Sequence, residues 1–422
     1  MSAWNNVLVI GGGAAGMFAA IAAAEHGAHV MVLEKNERLG KKLYITGKGR
    51  CNVTNHCTAE EVRRNVPTNA RFLYSALSAC QPQDVMAFFE QNGCALKTER
   101  GNRVFPVSDH SSSVIDCLKK RMHELHVRVA QDTAKELIVE NGAFRAVRAE
   151  KEEYPADCVI VATGGCSYPL TGSTGDGYAL ASAIGHTIIE PEGSLVPLVE
   201  RGHDCAQMQG LALRNVSLKL KNAKGKVVFT DFGELLFTHF GLSGPLILSA
   251  SAHMARGESG YIAEIDLKPA LDEQTLDARI VRDFEKNQNR DFANSLAELL
   301  PRSMIPVVVR RSGIDPAQKV NTVTRQQRRQ LLETIMRFTV PIACKAPVEE
   351  AIVTTGGVKV SEVDPKTMQS KKAAGVFFAG EILDVDAYTG GFNLQIAWAT
   401  GFAAGCAAAE YEYQHPMAGG ET

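Results

Sequence analysis

Residues 7–10 (Val-Leu-Val-Ile) form an unbroken apolar run, with glycines at positions 11, 13 and 16 directly after it. A run without polar alternation predicts a strand buried on both faces, as in a parallel sheet. Small residues over 14–26 predict a helix, and residues 28–33 predict a second strand ending at Glu34. Further on, 154–161 reads as a strand entering the turn Ala162-Thr163-Gly164-Gly165. A helix is expected from near Asp176, a strand over 375–378, and a final helix over 396–410 opened by the glycine-rich segment 389–395. The middle differs in texture. Short β-like runs at 195–200, 211–220, 226–230 and 261–266 alternate with Gly, Asn and Lys turns, which suits a small barrel or sandwich. From 271 to 338 charge rises, Leu and Ile recur at helical spacing, and Pro301, Pro306 and Pro316 break the pattern.

The opening strand, glycines, helix, strand and acid fall in the order of a dinucleotide-binding unit. Gly11 permits the tight turn, Gly13 lets backbone approach a pyrophosphate, and Gly16 lets helix and strand pack closely. Free N–H groups at Ala14 and Ala15, with the helix dipole behind them, favour that anion. Glu34 can accept from a ribose hydroxyl pair. The following segment, residues 40–55, sets cationic and amide side chains among glycines. Lys42 and Arg50 can neutralise phosphate, while Asn52 and Asn55 can bond a polar ring edge or ribityl chain, and Gly49 and Cys51 lie in the same cofactor-binding loop. Lys35 joins this binding set, although taken singly it reads, with Arg38 and Lys41, as a solvated basic turn. This second loop favours FAD over NAD.

Composition narrows the setting. A chain of 422 residues is too long for one core, so two or three domains are expected. The apolar share of 45% is that of a globular protein, and a formal charge of -2 gives no reason to expect nucleic acid or membrane as partner. The N-terminal run lacks a basic flank and no segment reaches the apolar length of a membrane span. Ten cysteines without a CxxC pair read as reduced thiols. Together these predict a cytoplasmic location and an oligomeric state that the sequence leaves open. No metal site is expected, since no HExxH spacing occurs.

The runs GGGAAGMFAA and LEKNERLGKKLYITGKGRCNVTN resemble the BaiN/YhiN-like flavoproteins, which include bacterial aminoacetone oxidases. The likeness continues through VIVATGG (159–165), TGSTGDGYALA (171–181), ELLFTHFGLSGPLILSAS (234–251) and the long run 354–401. The resemblance implies a glutathione-reductase-like α/β fold: a Rossmann-type FAD domain from both chain ends (1–190 and 351–422), an inserted β-barrel (191–270 and 339–350) and a helical subdomain (271–338). It further implies that Thr163 and Gly164 approach the dinucleotide, that the strand carrying Ala134 meets the adenine edge, and that Asp176 meets FAD or caps its helix. Gly380 and Glu381 fall where relatives bond the ribityl hydroxyls. Gly391, Phe392, Asn393 and Leu394 open the helix whose amides face the flavin N1/O2 edge.

No second GxGxxG follows a later strand, so NAD(P)H is expected only as a transient electron donor. In such enzymes the protein positions a small-molecule substrate and supplies a proton. Tyr388, Tyr168 and His239 are the candidate catalytic groups, with Asp386 as a further candidate and Ser243 as a donor. His239, flanked by aromatics, reads more readily as a core residue. Three activities fit: reduction of an activated C=C in an apolar steroid or bile-acid-like enone, oxidation of a small amine such as aminoacetone by O2, and a non-redox flavin-binding or RNA-modifying role. The first is preferred, and the third is disfavoured by the near-neutral charge.

Overall fold

The computed structural model describes residues 6–411. The chain folds into two compact units, one built from residues up to Ser194 and from Val348 onward, the other from Leu195–Pro347.

In the first unit, β1 (Asn6–Ile10) leads through the glycine turn into α1 (Ala14–Glu25) and β2 (His29–Glu34). After a segment of helices and a small three-stranded antiparallel sheet come β3 (Arg128–Gln131), then β4 (Ala134–Glu140), β5 (Ala143–Ala149) and β6 (Glu153–Pro155), and then β7 (Cys158–Val161). Next are α2 (Asp176–Ala183) and β8 (Ile188–Ser194). The run 154–161 is therefore two strands in two sheets. Pro155 has no N–H to continue a ladder, so β6 ends there and β7 begins three residues later.

The inserted unit closes six strands into a barrel: β9 (Leu198–Glu200), β10 (Ala212–Lys221), β11 (Val227–Phe237), β12 (Gly241–Ser243), β13 (Ile262–Asp266) and β14 (Phe338–Lys345). Between β13 and β14 lie α3 (Glu273–Lys286), α4 (Ile305–Ser312) and α5 (Arg325–Met336). Barrel and helices share one apolar core, to which Phe237, Phe338, Phe292 and Leu331 all belong. Leu236 and Phe237 in β11 pair with β12, a strand too short to show in the sequence pattern. The basic run Arg325, Arg328 and Arg329 lies on α5, with Arg328 paired to Asp277 at 2.6 Å.

The chain returns to the first unit through β15 (Val353–Val358), β16 (Val376–Phe378) and α6 (Phe392–Ala409). The main sheet is parallel, in the order β16-β7-β1-β2-β3. Strands β4–β6 form an antiparallel three-stranded sheet, and β8 pairs antiparallel with β15. Helices α1 and α6 are mostly buried and largely apolar on every side, the hydrogen-bonded Asn393, Gln395 and Thr400 of α6 excepted. A Cβ added at Gly401 would lie 2.6 Å from the carbonyl oxygen of Ala15, and one at Gly405 2.4 Å from that of Ala19. Their alanine and glycine composition thus reflects close helix packing. Among the described residues no helix is long and apolar enough to cross a membrane.

Candidate functional site

The glycine turn has the geometry its spacing predicts. Gly11 has φ +101°, and a Cβ there would stand 2.6 Å from the Ala162 carbonyl oxygen. A Cβ on Gly16 would come within 1.8 Å of the Gly11 carbonyl oxygen, so helix and strand meet backbone to backbone. Gly13 is different: a Cβ added there meets nothing within 4 Å. It caps α1 and faces open space, with the unpaired amides of the first turn at Ala14 and Ala15 following it. Glu34 is buried at the end of β2. One of its oxygens accepts the Gly12 N–H at 2.7 Å and the other accepts the Asn36 N–H at 2.8 Å, which fixes the carboxylate beside the turn.

A second polar centre joins four separate stretches of this unit. Lys42 donates to Glu381 at 2.6 Å and to Ser167 at 2.7 Å. The other oxygen of Glu381 accepts from the Ser167 hydroxyl at 2.9 Å and from the Thr354 N–H at 2.8 Å. Thr354 in turn accepts from the N–H groups of Cys166 and Ser167. Burial alone would raise the Glu381 pKa, but the Lys42 ammonium and these donors outweigh it and hold the carboxyl below its ordinary value. Gly380 donates to the Thr400 hydroxyl at 2.9 Å, which anchors this turn to α6. Neither Ser167 nor Thr354 stands out in the sequence; only the Gly165-Cys166-Ser167 turn after β7 hints at them.

The start of α6 receives the loop after residue 50. Trp398 donates to the Val53 carbonyl at 2.8 Å, Thr54 bonds Gln395 at 2.7 Å, and Asn55 donates to the Gly390 carbonyl at 3.0 Å. Helix α6 begins at Phe392, with Gly391 as its N-cap, four residues before the expected start. Phe392 is buried and Leu394 half-buried.

These residues fit a dinucleotide cofactor. Asn52 Oδ1 and Thr163 Oγ1 are buried without a hydrogen-bond partner. Such orphaned acceptors are costly unless a ligand meets them. Thr163 directly follows Ala162, which contacts Gly11, and Gly13 looks into open space.

Other residues are placed differently from expectation. Arg50 is not free for a phosphate: it donates to Asp109 at 2.8 Å and to Glu99 at 2.5 Å, and lies 4.1 Å over the Phe105 ring. Lys35 and Asp176 engage one another at 2.5 Å, with Thr174 2.6 Å from the ammonium. Burial pushes the Cys51 thiol up to about 12, so its side chain is a packed neutral group. The Asn393 amide is directed at its own loop, donating to the Ala387 carbonyl at 2.6 Å while accepting the Ala387 N–H. Gly49 lies in a half-exposed turn at φ +84°, Gly164 has φ +75°, and Ala134 pairs with Ala149 in the β4–β6 sheet.

Of the candidate catalytic groups, Tyr168 and Tyr388 belong to the first unit and His239 to the inserted one. Tyr168 is half-buried at φ +55°, its ring 5.9 Å from the Lys42 ammonium, and burial raises its phenol pKa. The Tyr388 N–H donates to the Asn65 carbonyl at 2.9 Å, and its side chain is half-buried. His239 is exposed in the turn between β11 and β12, against its reading as a core residue. Asp386 is buried, accepting from Ser194 at 2.6 Å and Thr355 at 3.0 Å.

A family model described as the HI0933-like protein Rossmann domain matches residues 5–407. The 3-dehydro-bile acid delta(4,6)-reductase of Clostridium scindens is 32% identical over 96% of this chain and 99% of its own. Two ribosomal RNA dihydrouridine synthases are each 28% identical: that of Haemophilus influenzae, over 96% of this chain and 98% of its own, and that of Escherichia coli, over 94% and 96%.

Proposed function

We infer function from the premise that this chain belongs to the HI0933-like Rossmann family. It is an FAD-dependent oxidoreductase. We propose that it reduces a C=C bond conjugated to a carbonyl in an apolar, steroid or bile-acid-like enone, with electrons from NAD(P)H. The observation that carries this reading is the full-length likeness to a reductase of that substrate class. Bound and reduced, FAD supplies the hydride for the carbon β to the carbonyl.

The chain's own residues then hold the cofactor and manage the proton. The first amides of α1 and the open side of Gly13 take the pyrophosphate, and Glu34 takes a ribose hydroxyl pair. The Lys42–Glu381 pair offers both a cation and an acceptor to the ribityl side, while Asn52 and Thr163 gain the partners they lack. The N-terminus of α6 would favour negative charge on the reduced ring. Tyr388 gives the proton to the carbon α to the carbonyl, and Tyr168 shields the ring side from water.

Anaerobic stopped-flow absorbance tests this. The enzyme is reduced with dithionite or NAD(P)H, then mixed with an apolar enone or with O2. Rapid reoxidation by the enone and slow reaction with O2 is expected; rapid reoxidation by O2 alone overturns the reading in favour of an amine oxidase.

A second reading keeps the chemistry and changes the substrate. The 5,6 bond of uracil is likewise conjugated to a carbonyl, and two relatives are named as ribosomal RNA dihydrouridine synthases. Charge favours it too. Residues 195–347 hold 21 Lys and Arg against 16 Asp and Glu, a net +5, leaving 24 against 31 elsewhere. The near-neutral total conceals a cationic insert.

A further inference from the structure

We propose that the outer face of the β10–β11 hairpin, with β13 beside it, is a docking surface for single-stranded RNA. The proposal rests on the second reading above.

From Val216 onward strand β10 alternates. Val216, Leu218 and Leu220 are buried, so Ser217, Lys219 and Lys221 point outward. Register extends this outer face across both neighbours. Ser217 stands between Phe232 and Asp266, Lys219 between Thr230 and Glu264, and Lys221 between Val227 and Ile262. Phe232 is 59% exposed, Val227 43% and Ile262 38%. Three of the eight large apolar side chains exposed among the described residues thus share one sheet face. Scattered exposed apolar residues are ordinary, but a cluster marks a contact surface.

The charge around this cluster identifies the occupant. Across the hairpin and β13, residues 214–232 and 262–266, five cations, Arg214, Lys219, Lys221, Lys224 and Lys226, stand against three carboxylates, Asp231, Glu264 and Asp266. Lys221 pairs with Glu264 at 2.5 Å, which neutralises the nearest acid of β13. Lys224 and Lys226 are exposed on a turn whose backbone is held by Asn222, whose side-chain oxygen accepts both of their N–H groups. An exposed aromatic ring opposite Ser217, with Lys219 on the same face and Lys224 and Lys226 at the hairpin tip, suits unstacked bases with phosphates alongside. A duplex, with its bases stacked inside, would leave Phe232 unused. The chain as a whole carries −2, so this is a local attraction.

The test uses full-length holoprotein and a fluorescent oligouridylate of roughly ten nucleotides, a length typical of such sites. Binding is followed by anisotropy across a salt series for the wild type, Phe232→Ala and the double variant Lys224→Gln/Lys226→Gln. Phe232→Ala should weaken binding about tenfold, with the salt slope unchanged. The double variant should lower the slope of log affinity against log salt by about 1.4, or about 0.7 for each lost phosphate contact. Flavin content and reduction of a free enone should not change in either. Affinity and slope that match the wild type in both variants would overturn the surface. If the wild type also forms dihydrouridine in ribosomal RNA, and both variants do so equally well, the surface is wrong while the second reading stands. Binding through this face without dihydrouridine removes the second reading and keeps the surface. No RNA binding at low salt, or binding of anionic phosphatidylserine vesicles in its place, ends the proposal.

Discussion

In the cofactor unit, buried polar groups reach across long stretches of chain: Thr54 to Gln395, Lys42 to Glu381, Ser194 to Asp386. In the inserted unit most turn back on their own elements, Ser251 excepted, which accepts the distant Val196 N–H at 3.0 Å. Ser295 bonds the carbonyl of Phe292, Ser312 that of Val309, and Asn287 that of Asp283. Among the described residues, the buried side-chain oxygens without a hydrogen-bond partner, on Asn52, Thr163 and Tyr178, belong to the cofactor unit. A unit that leaves acceptors unmatched in its interior is arranged for a ligand; one that matches them within its own fold is arranged for itself. By this contrast the inserted unit acts through its surface, and the cofactor unit through its interior.

The sharpest test separates two glycines three residues apart. Gly16→Val would press a side chain against the Gly11 carbonyl, already 1.8 Å from a Cβ, with only backbone to yield. The expected cost exceeds about 3 kcal/mol, seen as a collapsed melting temperature with or without flavin. Gly13→Ala fills open space, so the apoprotein should melt as the wild type does while flavin content falls. If both variants lose the fold equally, Gly13 is structural and the cradle is misassigned.

Next in size is the Lys42–Glu381 pair. Lys42→Met leaves a mostly buried carboxylate without its cation. The expected loss is about 2 kcal/mol, below the fully buried range because about a fifth of each side chain is exposed. Because the folded Glu381 pKa lies below the ordinary value, its stabilising contribution is complete at neutral pH. It fades as pH drops beneath the usual carboxylate range and through the lowered pKa. Chemical denaturation should therefore show wild type and Glu381→Gln converging in acid. A constant gap across pH would mean that the glutamate is held by packing and not by charge.

Tyr388→Phe removes the assigned proton donor without removing its ring. Turnover with an enone should fall about 10²-fold at unchanged flavin content, read by anaerobic reoxidation. An unchanged rate moves the role to Tyr168 or to water.

The same contrast explains what the sequence disclosed. The turn at Gly11, Gly13 and Gly16 was legible because backbone contact admits one residue type at fixed spacing. Glu34 followed because strand β2 has a fixed length. The carboxylate partners of Arg50 and Lys35 were hidden, since a cation in a glycine-rich loop looks the same whether its partner is phosphate or a carboxylate such as Glu99 or Asp176, far away in sequence. Ser167 and Thr354 were invisible for a similar reason: their task exists only after four distant segments meet. The barrel showed as alternation, but β12 is only three residues long, and no periodicity can appear in so few.

The smallest expected effect falls on His239, and it examines the inserted unit directly. The ring is exposed in the β11–β12 turn, edge-on to Phe240 at 5.0 Å. The turn is closed without it, by the Thr238 N–H donating to the Gly241 carbonyl at 2.8 Å. An exposed ring with one aromatic neighbour offers little to lose, so His239→Ala should change stability by less than about 0.5 kcal/mol. Turnover of a small enone should stay within about twofold, since a general acid or base contributes on the order of 10²-fold or more. A drop of that larger size, with flavin content and melting temperature intact, would place substrate chemistry on the inserted unit. The division between a reactive interior and a docking surface would then fail at its most exposed residue.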